Sequence, residues 1–234
     1  DGQSAYYSVD KDNSVNLFKF TIPVELSDKI DRTFYLKGYV LDQKTQKPLY
    51  SSIELVNTIT GQKVSKFLSD PITGDYMVIL PGDGEYVMYV ETPNYFFKSV
   101  KFDFSRKTSS NQLDIHMQKI EKDAVEVLQN IFFDSGSSVL RKESDIELNK
   151  LKDILSKNQT LKVEISGHTD DVGNDAFNLD LSKKRANSVV DFLVNAGIGK
   201  ERINAKGFGE TLPKVKNDSE ENRQLNRRIE LKFL

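Results

Sequence analysis

The sequence predicts a multi-domain chain, an all-β sandwich followed by an α+β domain, and three observations carry that prediction. Between residues 33 and 117 apolar runs recur about every ten residues with turn residues between them, the pattern of a small β-sandwich. From about residue 121 the pattern changes to β-α-β-α-β-α-β, which implies a mixed sheet with helices on one side. The length, 234 residues, suffices for one large or two ordinary domains.

Residues 1–30 open with Ala5-Tyr6-Tyr7-Ser8-Val9, aromatic and β-rich, a polar turn at residues 10–14, and Val15-Asn16-Leu17-Phe18-Lys19-Phe20 in alternation. Two strands are marginal alone, so this piece belongs to a larger sheet or rests on a neighbour. In the sandwich, Phe34, Leu36 and Val40 flank Gly38. Ile53-Glu54-Leu55-Val56 follows the turn at Lys47-Pro48. Tyr76-Met77-Val78-Ile79-Leu80 runs into Pro81-Gly82-Asp83-Gly84, and Tyr86-Val87-Met88-Tyr89-Val90 returns. Phe96-Phe97 reads as core, with a partner-binding patch as the alternative. Residues 105–112 are polar and loop out before Leu113-Asp114-Ile115-His116-Met117 closes the sandwich.

The second domain begins with a strand at 125–133. Ser144-x-x-Glu147 has the form of a capping box ahead of Leu148, Leu151 and Leu155 at helical spacing. A strand at 161–165 precedes a helix at 179–196 closed by Gly197. A strand at 203–208, a short Ser219-led helix and a strand at 228–234 complete it. Two helices and four strands supply both layers, so residues 119–234 are expected to fold without help from the sandwich.

Composition narrows the function. The chain is 38% hydrophobic and 29% charged, as globular chains are. Lys+Arg (33) nearly balance Asp+Glu (35), and a net charge of -2 argues against nucleic acid as the main partner. Without cysteine there is no disulfide, Cys-ligated zinc or thiol catalysis, which fits an extracytoplasmic protein. No apolar run approaches the roughly 18–20 residues of a membrane span. The opening Asp1-Gly2-Gln3-Ser4 is not a signal peptide; an exported protein would have lost it, or this is a piece of a longer chain.

One charge stands out. At about 100° per residue, Arg185 falls among Leu181, Ala186, Val189, Phe192 and Leu193, in the stripe that faces the sheet. A guanidinium there is costly unless it meets an anion. That anion is a protein carboxylate, Asp170 or Asp134, or else the carboxylate of a ligand gripped by the guanidinium fork. Asp170 follows Gly167-His168-Thr169 at a strand exit, where such sheets present ligand groups. Acid and base fifteen residues apart can hold the ammonium and carboxylate of one amino-acid centre. His168 and His116 lie in different domains, which argues for a hydrogen-bonding rather than metal-bound histidine. Asp170-Asp171 are adjacent, an arrangement that rarely converges on one glycosidic bond. Gly207-Phe208-Gly209 lacks the third glycine of a dinucleotide fingerprint. Arg223, Arg227 and Arg228 form either a solvated face or a group with one member in the same pocket.

Three resemblances follow from these residues. Tyr6-Tyr7-Ser8-x-Asp10 with Leu17-Phe18-x-Phe20 resembles the closing strands of a WD40-like propeller blade. Gly38-x-Val40-x-Asp42, Pro48-Leu49, Gly74-Asp75-Tyr76, Leu80-Pro81 and Glu85-Tyr86 resemble the carboxypeptidase regulatory-like domain, a spacer or docking module, over residues 31–118. Phe132-Phe133-Asp134, Gly167-His168-Thr169-Asp170, Gly173, Asn178, Leu181-Ser182, Arg185-Ala186, Gly207-x-Gly209, Pro213, Asn217 and Arg223-x-x-Asn226-Arg227-Arg228 resemble the OmpA-like C-terminal domain, over 119–234.

The last resemblance implies a non-enzymatic, periplasmic, outer-membrane-associated module that needs no cofactor or metal and binds peptidoglycan. Asp170 and Arg185 would clasp the diaminopimelate of the stem peptide, Thr169, Asn178 and Arg227 would line the pocket, and Gly167, His168, Asp134, Ser135 and Gly136 would support it. Ser135-Gly136-Ser137-Ser138 departs from the apolar residue the family often carries after the Asp134 position, which implies a more mobile loop there. The order of the three segments resembles a periplasmic protein of the type IX secretion system, with further protein partners in that complex. The alternatives are a partner-binding scaffold that has lost wall binding and, third, a cell-wall hydrolase.

Overall fold

The structure, a computed structural model, describes residues 4–11, 14–23, 34–80, 84–104 and 112–234. Of the turns expected at residues 10–14 and 81–84 and the loop at 105–112, residues 12–13, 81–83 and 105–111 lie outside them. Strands β1 (Ser4–Lys11) and β2 (Ser14–Thr21) pair antiparallel as a two-stranded sheet, with Tyr7 and Phe18 stacked at 5.2 Å. Tyr6, Tyr7, Leu17, Phe18 and Phe20 are exposed.

Seven strands follow: β3 (Phe34–Asp42), β4 (Ser52–Asn57), β5 (Lys63–Leu68), β6 (Asp75–Leu80), β7 (Gly84–Glu91), β8 (Lys98–Phe104) and β9 (Ile115–Met117). They form two sheets, ordered β6-β3-β9 and β5-β4-β7-β8. Strands β5 and β8 are edges whose weak alternation gave no signal in the sequence. Leu36, Val40, Ile53, Leu55, Tyr76, Val78, Leu80, Tyr86, Met88 and Val90 fill the space between the sheets. Alternation along β6 is strict, Tyr76, Val78 and Leu80 inward and Met77 and Ile79 exposed. In β7 residues 86–90 are all buried, because Val87 and Tyr89 on the outer side form a second cluster with Val56.

What covers that outer side comes from the next region. Strand β10 (Val125–Leu128), helix α1 (Asp145–Lys157), β11 (Val163–Gly167), α2 (Asp175–Asn195), β12 (Ile203–Gly207), α3 (Glu220–Asn226) and β13 (Ile229–Phe233) give the expected element order. The sheet runs β10-β13-β11-β12, with β11 and β12 parallel and β13 antiparallel to its neighbours. Val163, Ile165, Ile229, Leu231 and Phe233 face Leu148, Leu151 and Leu155 of α1 and Ala186, Val189, Val190 and Leu193 of α2.

Three local expectations change. Strand β10 stops at Leu128 rather than 133, because the Phe132 amide leaves the ladder to donate to Ser144 Oγ at 2.9 Å. The capping box does not form. Ser144 lies in a 3-10 turn with αR backbone, its hydroxyl is taken by Phe132, and Glu147 is buried beside Asn130, which donates to it at 2.8 Å. Helix α2 begins at Asp175, four residues early, since Asn174 caps it by accepting from the Phe177 amide at 2.8 Å. Gly197 (φ +95°) and Ser219, which accepts from the Asn222 amide, end and begin helices as expected.

The C-terminal core is not built from C-terminal residues alone. Phe96 and Phe97 are buried, yet they pack into the C-terminal cluster rather than between the sandwich sheets, and the Phe96 ring stands edge-on to Phe233 at 5.7 Å. Short backbone bonds fix them there: Phe96 N to Gln118 O (2.9 Å) and Ile120 N to Asn94 O (3.0 Å). Helix α1 turns Lys150 to the sandwich, where it meets Glu91 (2.6 Å), Glu54 (3.2 Å) and the Tyr89 ring (4.9 Å).

Candidate functional site

The Gly167-His168-Thr169-Asp170 segment leaves the end of β11 clamped on both sides by main chain. His168 N donates to Arg228 O (3.0 Å) and Thr169 N to Gly209 O (2.9 Å). Gly167 and Gly207 let α2 press onto these strand ends: a Cβ at Gly167 would lie 2.1 Å from Ser182 O, and one at Gly207 would lie 2.5 Å from Lys183 N. This close approach brings α2 over the loop that carries Asp170.

Asp170 is 6% exposed. Its Oδ1 accepts from the Val172 amide (3.1 Å) and its Oδ2 from Arg227 Nη1 (2.5 Å). Asn178, on the first turn of α2, braces the loop by donating to Asp170 O, Val172 O and Glu210 Oε2 (3.3, 3.2 and 2.6 Å). Thr169 Oγ1 is buried with no hydrogen-bond partner. His168 is buried and stacked on Phe208 at 5.2 Å. Its Nε2 lies 3.4 Å from Glu230 Oε2, and Nδ1 has no partner. His168 and Arg228 together hold Glu230 far below the usual carboxylate range, at about 2, against the opposing effect of burial.

Arg185 points where the helical spacing put it, 9% exposed in the apolar stripe. Its partners differ from the two protein carboxylates expected. Nε donates to Ser137 O (2.8 Å), Nη2 donates to Asp134 O (3.2 Å), and the guanidinium stands 5.1 Å over the Phe133 ring. Asp134 thus contributes its carbonyl, not its side chain. Burial pushes the guanidinium below its ordinary pKa, with Asp170 opposing and Arg227 adding to that shift; an arginine stays charged regardless. Among the described residues no carboxylate lies within ion-pair distance of Arg185, so a buried cation is held by neutral dipoles.

Residues 134–138 form the loop in those contacts. Gly136 takes φ +65° with open space around it, Ser135 and Gly136 are exposed, and Ser138 O accepts from Ser188 Oγ at 2.7 Å. The loop is therefore tied to α2 at both Arg185 and Ser188. Of the basic group, Arg227 reaches Asp170, Arg223 pairs with Asp171 (3.0 Å), and Arg228 pairs with Glu230 (2.6 Å). Sequence reasoning missed Glu210, Glu230 and the Ser137 carbonyl; only the polar position of Glu230 in an alternating strand carried a signal. Among the described residues no three His, Cys, Asp or Glu side chains are grouped to hold a metal, and no helix is long and apolar enough to cross a membrane.

Comparison with known proteins finds similarity over the C-terminal region. Residues 132–227 match the OmpA family. Outer membrane porin F of Pseudomonas aeruginosa is 38% identical over 109 residues, covering 46% of this chain and 31% of that protein. Peptidoglycan-binding protein ArfA of Mycobacterium tuberculosis is 35% identical over 100 residues, covering 43% and 30%. This chain thus spans less than a third of the length of either relative. The peptidoglycan-associated lipoprotein of Burkholderia pseudomallei, a solved structure, is 27% identical, with 45% of this chain and 88% of that chain covered and a TM-score of 0.43. The C-terminal region of the chain, residues 132–227, is an OmpA-family domain.

Proposed function

We propose that this domain binds peptidoglycan, and does so through the diaminopimelate of the stem peptide, Arg185 taking a carboxylate and Asp170 an ammonium. The observation that carries the reading is the buried Arg185 guanidinium, matched by two main-chain carbonyls and by no anion. A buried cation so placed gains most from a carboxylate brought by a ligand. Thr169, with its idle buried hydroxyl, Asn178 and Arg227 line the same pocket, and Gly167, His168, Asp134, Ser135 and Gly136 shape it. Relatives point the same way: ArfA is named for peptidoglycan binding.

In this reading residues 1–30 belong to a propeller-like unit, 31–118 form a regulatory-like sandwich that spaces or docks, and 119–234 hold the wall. The protein sits in the periplasm at the outer membrane and ties an assembly there, the type IX secretion machinery, to peptidoglycan. Cosedimentation of the full chain with purified sacculi tests the central claim. Asp170→Asn and Arg185→Ala should each cost about 2–5 kcal/mol of binding, with the fold retained by circular dichroism. Wild-type cosedimentation by both variants would place wall contact elsewhere. Failure of the unmodified chain to cosediment would favour the partner-binding scaffold.

A further inference from the structure

We infer that Arg227 is an internal competitor for the Asp170 carboxylate, which an incoming ammonium displaces onto Glu220, so that Arg227 sets the specificity of the site. The inference rests on the reading of Asp170 and Arg185 as the clasp. The two halves of that clasp are not equivalent in the free protein. Among the described residues Arg185 is hydrogen-bonded to carbonyl oxygens alone, whereas Asp170 is already neutralised by a guanidinium at 2.5 Å. A ligand carboxylate arriving at Arg185 meets an unmatched charge. A ligand ammonium arriving at Asp170 meets a matched one and must exchange for Arg227.

The exchange has a seat prepared for the cation that leaves. Arg227 Nη2 already donates to Glu220 Oε1 (2.5 Å) and Gln224 Oε1 (2.6 Å). The Glu220 side chain is 70% exposed, so concentrating the guanidinium there demands no further desolvation. The backbone need not follow. Arg227 is the C-cap of α3, next to fully buried Asn226, whose side chain binds Lys214 N, Val215 N, Val215 O and Asn217 Oδ1. Arg227 itself is only partly covered, at 29% side-chain exposure. The move is thus a side-chain swing on a fixed main chain. Charge is conserved across it, since one cation replaces another at Asp170 and the displaced one stays paired.

This arrangement selects for a zwitterion. A lone amine has to outcompete a tethered guanidinium with nothing gained elsewhere, while a ligand anchored at Arg185 delivers its ammonium at high local concentration. The test is equilibrium binding of free diaminopimelate to the full chain and to its Arg227→Gln and Glu220→Gln variants. Arg227→Gln should tighten binding about tenfold and raise affinity for a simple alkylamine relative to the wild type. Glu220→Gln, at an exposed position, should weaken diaminopimelate binding severalfold by removing the second seat. NMR of the wild type offers a readout without mutation: the Arg227 guanidinium signals should shift on titration. Unchanged or weaker binding by Arg227→Gln, with Asp170→Asn and Arg185→Ala still losing binding, would overturn the competitor and leave the clasp standing. Wild-type binding by Asp170→Asn and Arg185→Ala would remove both.

Discussion

The C-terminal region buries charge on two sides, and the sides treat it differently. Toward the sandwich buried cations are met by carboxylates from within the chain, Lys150 by Glu54 and Glu91 and Lys98 by Glu126 at 2.5 Å, while the Glu147 carboxyl accepts from Asn130 on Oε2 and leaves Oε1 without a partner. Toward the loops at the strand ends, Arg185 is answered by carbonyls alone, Thr169 Oγ1 by nothing, and Asp170 by a guanidinium shared with an exposed acid. Matched charge beside packed phenylalanines is what a permanent interface needs, because an unpaired ion there would cost several kcal/mol. Incompletely matched charge is what a site for a charged ligand leaves in place. On the proposed function, this contrast divides the structural side of the domain from the side that would take the ligand.

The sharpest way to break the comparison is to empty the permanent side. Phe96→Ala removes a ring that is 1% exposed and packed on Phe97 and Phe233. It should cost about 3–5 kcal/mol, read by urea denaturation. Because the ring belongs to the sandwich sequence but the C-terminal core, the loss should appear in the melting of both. A fragment of residues 119–234 lacks both rings and should melt below the full chain. A fragment as stable as the same region in the full chain would mean that the two phenylalanines are only accommodated there.

A smaller effect is expected at Lys150, 14% exposed in its side chain. Lys150→Met deletes the cation between Glu54 and Glu91, but Glu54 keeps Lys63 at 2.5 Å, so roughly 1–3 kcal/mol of stability should go. Sacculus binding should be unchanged. Arg185→Ala should show the opposite balance, a large loss of binding for a modest loss of stability. If both variants lost binding in proportion to stability, the two sides would be one cooperative structure and the distinction would fall.

The sequence made some of this division readable and concealed the rest for definite reasons. Helical periodicity put Arg185 in the apolar stripe, and strand alternation put Ile229, Leu231 and Phe233 on one face, because both depend only on near neighbours in the chain. The partners of Arg185 could not be read, since carbonyls at 134 and 137 are present whatever the side chains are. Arg227 lies 57 residues from Asp170, and no local pattern joins them. Ser144 and Glu147 matched a local capping rule, yet Phe132 and Asn130, brought in by the tertiary fold, took both side chains. Likewise Tyr89, on the outer side of β7, lies under Lys150 of α1, more than fifty residues later in the chain.

The smallest expected effect distinguishes the two sides by the sign of their pH dependence. Glu147 is fully buried, and burial pushes its carboxyl up from 4.5 against the donors Ser99 and Asn130. The folded state then holds a proton that the unfolded chain has released. The stability this provides is complete below about pH 4.5 and is lost as pH rises through the higher folded value. Glu230 does the reverse. His168 and Arg228 hold it at about 2, so its contribution is complete above about pH 4.5 and is lost as pH falls toward 2. Glu147→Gln should therefore flatten the neutral limb of a stability-against-pH curve and leave the acid limb alone. Glu230→Gln should flatten the acid limb, by about 1–2 kcal/mol, and should leave the neutral limb as it is in the wild type. Urea midpoints measured from pH 2 to pH 8 decide it: curves for both variants that run parallel to the wild type would show that neither carboxyl is tuned by the side of the domain on which it lies.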